Sequence, residues 1–139
     1  MPKQVIQRKS STCEDPKVLL IVDDCEQVAN TAKRFLVSEF DRVLTATSPK
    51  EATKILKTEP VSHILCDLNF GPRAEHQLLG FVLADQWRFD FPELDRIVIF
   101  TCSDVSDVTL PLAVDGIVSK SRGLAYIADV LLNRGPVRG

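Results

Sequence analysis

The sequence predicts a doubly wound α/β fold: a five-stranded parallel sheet, order 2-1-3-4-5, between two layers of helices. Three observations predict it. Short apolar runs suited to buried parallel strands recur along the chain: Val18-Leu19-Leu20-Ile21-Val22, Ile64-Leu65-Cys66, Ile97-Val98-Ile99-Phe100 and Ile117-Val118. Helical patterns separate them, as crossover connections require. The first, third and fourth strands are continuously apolar, whereas the second and fifth are more polar and so belong at the edges.

The elements follow in order. From Lys17 the chain enters the first strand. A helix is expected near Asp24, with Val28, Ala29, Ala32, Phe35, Leu36 and Phe40 on one face. Residues 42–47 read as the second strand. Ser48-Pro49-Lys50-Glu51 then starts a helix: an N-cap Ser, Pro at the first position and a capping-box Glu. Ala52, Ile55 and Leu56 supply its buried stripe. Residues 63–67 form the third strand, and 68–79 a long loop carrying Gly71-Pro72. The third helix follows Gly80, turns Val82, Leu83 and Trp87 inward, and stops before Pro92. The fourth strand spans 96–101. Residues 103–114 carry helical spacing at Val105, Val108, Thr109 and Leu112, but Pro111 breaks a helix interior. The fifth strand spans 116–120. The last helix buries Leu124, Ile127, Ala128, Leu131 and Leu132, and Gly135 stops it before Pro136.

A chain of 139 residues is expected to form one domain. Residues 1–16 read as a flexible N-terminal tail, 17–134 as the folded domain and 135–139 as a C-terminal tail. The net charge of −2 and the lack of a basic run give no nucleic-acid signal. No apolar stretch approaches a membrane span, and the polar N-terminus is not a signal peptide, so a cytoplasmic chain is expected. The four cysteines show no disulfide or zinc spacing. Cys25, Cys66 and Cys102 read as reduced, small apolar fillers. His63 opens its strand, about 13 Å from Asp67 at strand rise, and reads as a surface residue.

Five residues share one edge in this fold. Asp23-Asp24, Asp67, Thr101 and Lys120 each lie at or just beyond a strand's carboxyl end, where ligands of open α/β sheets bind. Clustered carboxylates call for a cation, and oxygen ligands favour Mg2+. Asp67 ends the middle strand and can act as a nucleophile toward phosphorus. The Thr101 hydroxyl and the Lys120 ammonium can take up charge on a phosphoryl group.

Residues 17–134 resemble the receiver domain of two-component response regulators, which is CheY-like and flavodoxin-like. The motifs are VDD at Val22–Asp24, CDLN at Cys66–Asn69, IVIFTCS at Ile97–Ser103 and GIVSK at Gly116–Lys120. The resemblance implies that Asp67 is the phosphoacceptor. It implies that Asp23, Asp24, Asp67 and the Asn69 backbone carbonyl hold Mg2+. Thr101 and Lys120 become the switch hydroxyl and the phosphate-binding lysine. A histidine kinase or phosphotransfer protein is the implied donor, and a downstream protein target the implied reader. The chain departs from the family pattern in its long loop after Asp67 and in Cys102, Ile117 and Ser121. The short interval from Thr101 to Lys120 implies a reduced fourth helix. Two other functions fit the same residues: a pseudo-receiver that binds partners without phosphorylation, and a phosphatase with an Asp nucleophile. The acidic pair precedes Asp67, the reverse of the usual order in such phosphatases.

Overall fold

A computed structural model describes residues 16–68, 79–101 and 109–133. Their strands are β1 (Val18–Val22), β2 (Arg42–Ala46), β3 (His63–Asp67), β4 (Arg96–Thr101) and β5 (Gly116–Ser119). Their α-helices are α1 (Glu26–Leu36), α2 (Pro49–Thr58), α3 (Leu79–Asp90) and α4 (Leu124–Leu131). All strand pairs are parallel, in the order β2-β1-β3-β4-β5. The polar strands thus lie at the edges, as their composition requires.

Strand alternation divides the core between the two faces of the sheet. Val22, Cys66, Ile97 and Ile99 pack with Ala52 and Leu56 of α2 and with Ala84 and Trp87 of α3. Ile21, Leu65, Val98, Phe100 and Val118 pack with Ala29 and Leu36 of α1 and with Ile127 and Leu131 of α4. Trp87 is buried, and its Nε1–H donates to Thr53 Oγ1 at 3.1 Å, tying α3 to α2. The start of α2 follows its sequence signals. Ser48 Oγ accepts from the Glu51 N–H at 3.1 Å, with Pro49 at the first position. Glu51 Oε1 reaches the Thr47 N–H at 2.9 Å, one residue further out than the usual box.

Several expectations need correction. Helix α1 starts at Glu26 because Asp23 and Cys25 form a turn: the Cys25 N–H donates to Asp23 Oδ1 at 2.8 Å. Phe35 is 42% exposed, and Phe40 enters the core from the turn after α1. Cys25 is exposed rather than a core filler, whereas Cys66 is buried. Val82 is 61% exposed and Phe81 is buried in its place. At 3.6 residues per turn, Val82 lies roughly 160° around α3 from buried Ala84. His63 is buried, because its strand is central and Phe40 meets its ring edge-on at 5.3 Å. Ser62 Oγ lies 2.7 Å from its Nδ1. Burial holds the imidazole below the ordinary histidine value, against an opposing pull from Asp95.

Residues 69–78 of the long loop and 102–108 of the expected fourth-helix segment lie outside the described residues, as do the two tails apart from Pro16. Residues 109–115 are not helical. The Val114 N–H closes a turn onto the Pro111 carbonyl at 3.1 Å, and Leu112 is fully exposed. Strand β5 ends at Ser119, and Lys120 opens a 3-10 turn over Lys120–Arg122. Gly123, at φ 95, then lets the chain swing into α4. No helix among the described residues is long and apolar enough to cross a membrane.

A clamp holds the residues just before β5. Asp115 Oδ2 accepts from the Ile97 N–H at 2.8 Å and from Arg88 Nη2 at 2.6 Å. Arg88 Nη1 also donates to the Leu94 carbonyl at 2.7 Å. Asp115→Ala removes the acceptor for the part-buried Ile97 N–H and leaves Arg88 without its carboxylate. It is expected to lower unfolding stability by about 2 kcal/mol in urea titrations.

Candidate functional site

The carboxyl edge of the sheet gathers the expected acidic residues by strand parity. Ile21 faces the α1 and α4 side, so Asp23, two residues on, faces it too. Its N–H still pairs with the Ala46 carbonyl at 3.1 Å. Leu65 puts Asp67 on that face by the same rule, in register with Phe100. Asp23 is 1% exposed and Asp67 7% exposed. Asp24 lies beyond the strand and is exposed. One carboxylate oxygen from each of Asp23, Asp24 and Asp67 lies within 4.8 Å of the other two.

Lys120 closes the cluster. The 3-10 turn after β5 sends its side chain back over the sheet edge. Its Nζ donates to Asp23 Oδ2 at 2.9 Å and pairs with Asp67 Oδ1 at 3.3 Å. Burial disfavours its charge, but the Asp23 hydrogen bond and the Asp67 carboxylate outweigh that, and the ammonium titrates above the ordinary lysine range. Thr101 is buried at the last position of β4, in register with Ser119. It follows Phe100 on the opposite side of the strand, at the same sheet edge. Asn69 lies outside the described residues.

Asp23 and Asp67 share the Lys120 ammonium, with the Asp24 carboxylate close by. The Asp67 carboxyl responds mainly to its burial. Burial raises its pKa to about 6; Lys120 opposes this, while Asp23 adds to it. Three carboxylates with oxygens within 4.8 Å of one another are all-oxygen donors of the kind Mg2+ takes. The Cys66 thiol donates to the Asp67 carbonyl at 3.2 Å. Burial, and then the Asp67 charge, push that thiol well above its ordinary value, so it is an inert filler.

Sequence reasoning placed Gly80 just before the third helix but missed its close contact with the end of β3. The Gly80 N–H donates to the Leu68 carbonyl at 2.8 Å, bringing the start of α3 against the end of β3. A Cβ there would press into the Asp67 carbonyl oxygen and stand 2.9 Å from Leu68 Cα. The available signal was a glycine at the start of a helical pattern, where it lowers helix propensity unless close approach requires it.

Two measurements test this geometry. Gly80→Ala is expected to lower stability by about 2 kcal/mol or more in urea titrations, because the obstruction is backbone. The second concerns pH. Asp67 titrates near 6 in the folded chain, against about 3.9 when unfolded. A raised carboxyl pKa favours folding below the unfolded value and loses that contribution as pH rises through 6. In metal-free buffer, the stability of Asp67→Asn relative to wild type is expected to increase by about 3 kcal/mol from pH 4 to pH 8. A constant difference contradicts the raised value.

No family model matches the chain. The hydrogenase transcriptional regulatory protein HoxA of Cupriavidus necator is 38% identical over 90 residues. That match covers 65% of this chain and 17% of HoxA's length. Among solved structures, the response regulator TrrA of Thermotoga maritima, in complex with Mg(2+)-BeF, superposes with a TM-score of 0.69 at 20% identity. The match covers 84% of this chain and 97% of that one. The N-terminal signal receiver domain of a Bacteroides fragilis response regulator gives 0.68 at 24% identity, covering 86% and 96%. A Burkholderia pseudomallei response regulator with a phosphorylated aspartic acid gives 0.66 at 25% identity, covering 83% and 66%. The strand order and these neighbours identify the fold of this chain as that of the CheY-like response regulator receiver domain.

Proposed function

We propose that residues 17–134 form a phospho-receiver that accepts a phosphoryl group on Asp67, flanked by tails at 1–16 and 135–139. The observation that carries this reading is the position of the Asp67 carboxylate. It ends the central strand, 3.3 Å from the Lys120 ammonium and beside two further carboxylates. The donor on this reading is a phosphohistidine of a histidine kinase or phosphotransfer protein. An Asp67 carboxylate oxygen attacks phosphorus, the new O–P bond forms and the N–P bond breaks. The imidazole leaves with the bonding electron pair and takes up a proton.

Asp23, Asp24 and Asp67 would hold Mg2+, which supplies neutralisation of phosphoryl charge when bound. Lys120 places a fixed positive charge beside the transferring group, and Thr101 offers a hydroxyl to one of its oxygens. Positioning and charge are most of what phosphoryl transfer asks of a protein. The product is a signal rather than a released substrate. A change at Thr101 and Lys120 biases the surface beyond β4 and β5, which a downstream protein reads. A cytoplasmic location follows from this reading.

Intact-mass measurement after incubation with Mg2+ and acetyl phosphate tests it. Wild type is expected to gain one phosphoryl mass. Asp67→Asn, or chelation of Mg2+, is expected to abolish the gain. An equal gain on Asp67→Asn would falsify the assignment. No gain on wild type favours a constitutive binding module, a reading motivated by the non-helical residues 109–115.

A further inference from the structure

Lys120 is held by something besides carboxylates. Its Nζ stands 4.6 Å from the centroid of the Phe100 ring. Phe100 is 2% exposed and in register with Asp67 on the neighbouring strand. Its ring and Lys120 together line a cavity of about 520 Å³ between α1 and α4, with Val28, Leu124 and Ile127. The ammonium therefore sits where three attractions meet: Asp23 Oδ2, Asp67 Oδ1 and an aromatic face.

These attractions behave differently during phosphoryl transfer. The Asp67 carboxylate is consumed, since one of its oxygens becomes the bridging oxygen of an acyl phosphate. A cation held by Asp23 would compete with the ammonium for its oxygens. The ring neither titrates nor reacts, and its negative face attracts the ammonium at every stage. Its neighbours Ile97, Val98 and Ile99 on the same strand are aliphatic and fully buried. An aromatic residue at position 100 adds what they lack, a face for a cation.

We propose that Phe100 is a positioning residue for phosphoryl transfer, holding the Lys120 ammonium at the strand edge through its ring face. The inference rests on the reading of Asp67 and Lys120 given above. Phe100→Leu keeps an apolar side chain but removes the ring; Phe100→Tyr keeps the ring. The phosphorylation rate with acetyl phosphate and Mg2+ is measured on the full chain, below the melting temperature of every variant. Phe100→Leu is expected to slow the reaction roughly fivefold, and Phe100→Tyr to stay within about twofold of wild type. The ring-current shift of the Lys120 Cε protons is recorded by NMR, and is expected in wild type and Phe100→Tyr but not in Phe100→Leu.

Equal rates for wild type and Phe100→Leu overturn the inference and leave the underlying reading intact. So does an equal loss in Phe100→Leu and Phe100→Tyr with the ring-current shift kept in the latter, which assigns the effect to core packing. Absence of that shift in wild type removes the contact itself. A wild type that takes no phosphoryl group overturns the underlying reading, and the inference with it.

Discussion

The Lys120 ammonium, shared between Asp23 and Asp67, is the interaction on which the carboxyl edge of the sheet depends. It joins the two ends of the domain: Asp23 follows β1, and Lys120 follows β5, 97 residues later. At this edge Asp67 is buried, and burial holds its carboxyl above the ordinary range against the pull of Lys120. On the proposed reading, a divalent cation would supply charge at this place and a transferring phosphoryl group would meet the ammonium.

The rest of the fold serves that edge. Parity on three parallel strands puts Asp23, Asp67 and Phe100 on one face. The Asp23 side chain holds the turn into α1 with one oxygen and Lys120 with the other, so the turn and the ion pair constrain each other. Gly80 lets α3 begin directly against the end of β3, despite the long connection that precedes it. At the opposite end, Asp115 and Arg88 tie β4, α3 and the approach to β5 together.

Much of this was legible in the sequence. Strand order followed from ranking the apolar runs, because a strand covered on both faces tolerates no polar alternation. The acidic cluster and its lysine followed from where those runs end. The misreadings have physical causes. Phe35 and Val82 matched the expected stripes by hydrophobicity, but each stands beside another large apolar residue, Leu36 and Phe81, that takes the core position instead. His63 was read from its place at a strand end, which says nothing of Phe40 arriving from a distant turn to cover it. Cys25 was read from its neighbours, although the turn at Asp23 carries it out to solvent. Gly80 and Phe100 were read as a helix boundary and a strand residue, and a linear reading does not show the contacts they make with the end of β3 and with Lys120.

The central claim is that the clustered charge at the strand ends is built to hold a phosphoryl group on Asp67 with Lys120 as its counter-charge. A crystal structure of the full chain with Mg2+ and beryllofluoride, a phosphoryl mimic, tests it most directly. The expected result is beryllium bonded to an Asp67 carboxylate oxygen, with Lys120 Nζ drawn from Asp23 onto a fluorine. A structure in which Asp67 carries no beryllofluoride, or in which Lys120 stays on Asp23 and ignores the adduct, contradicts the claim.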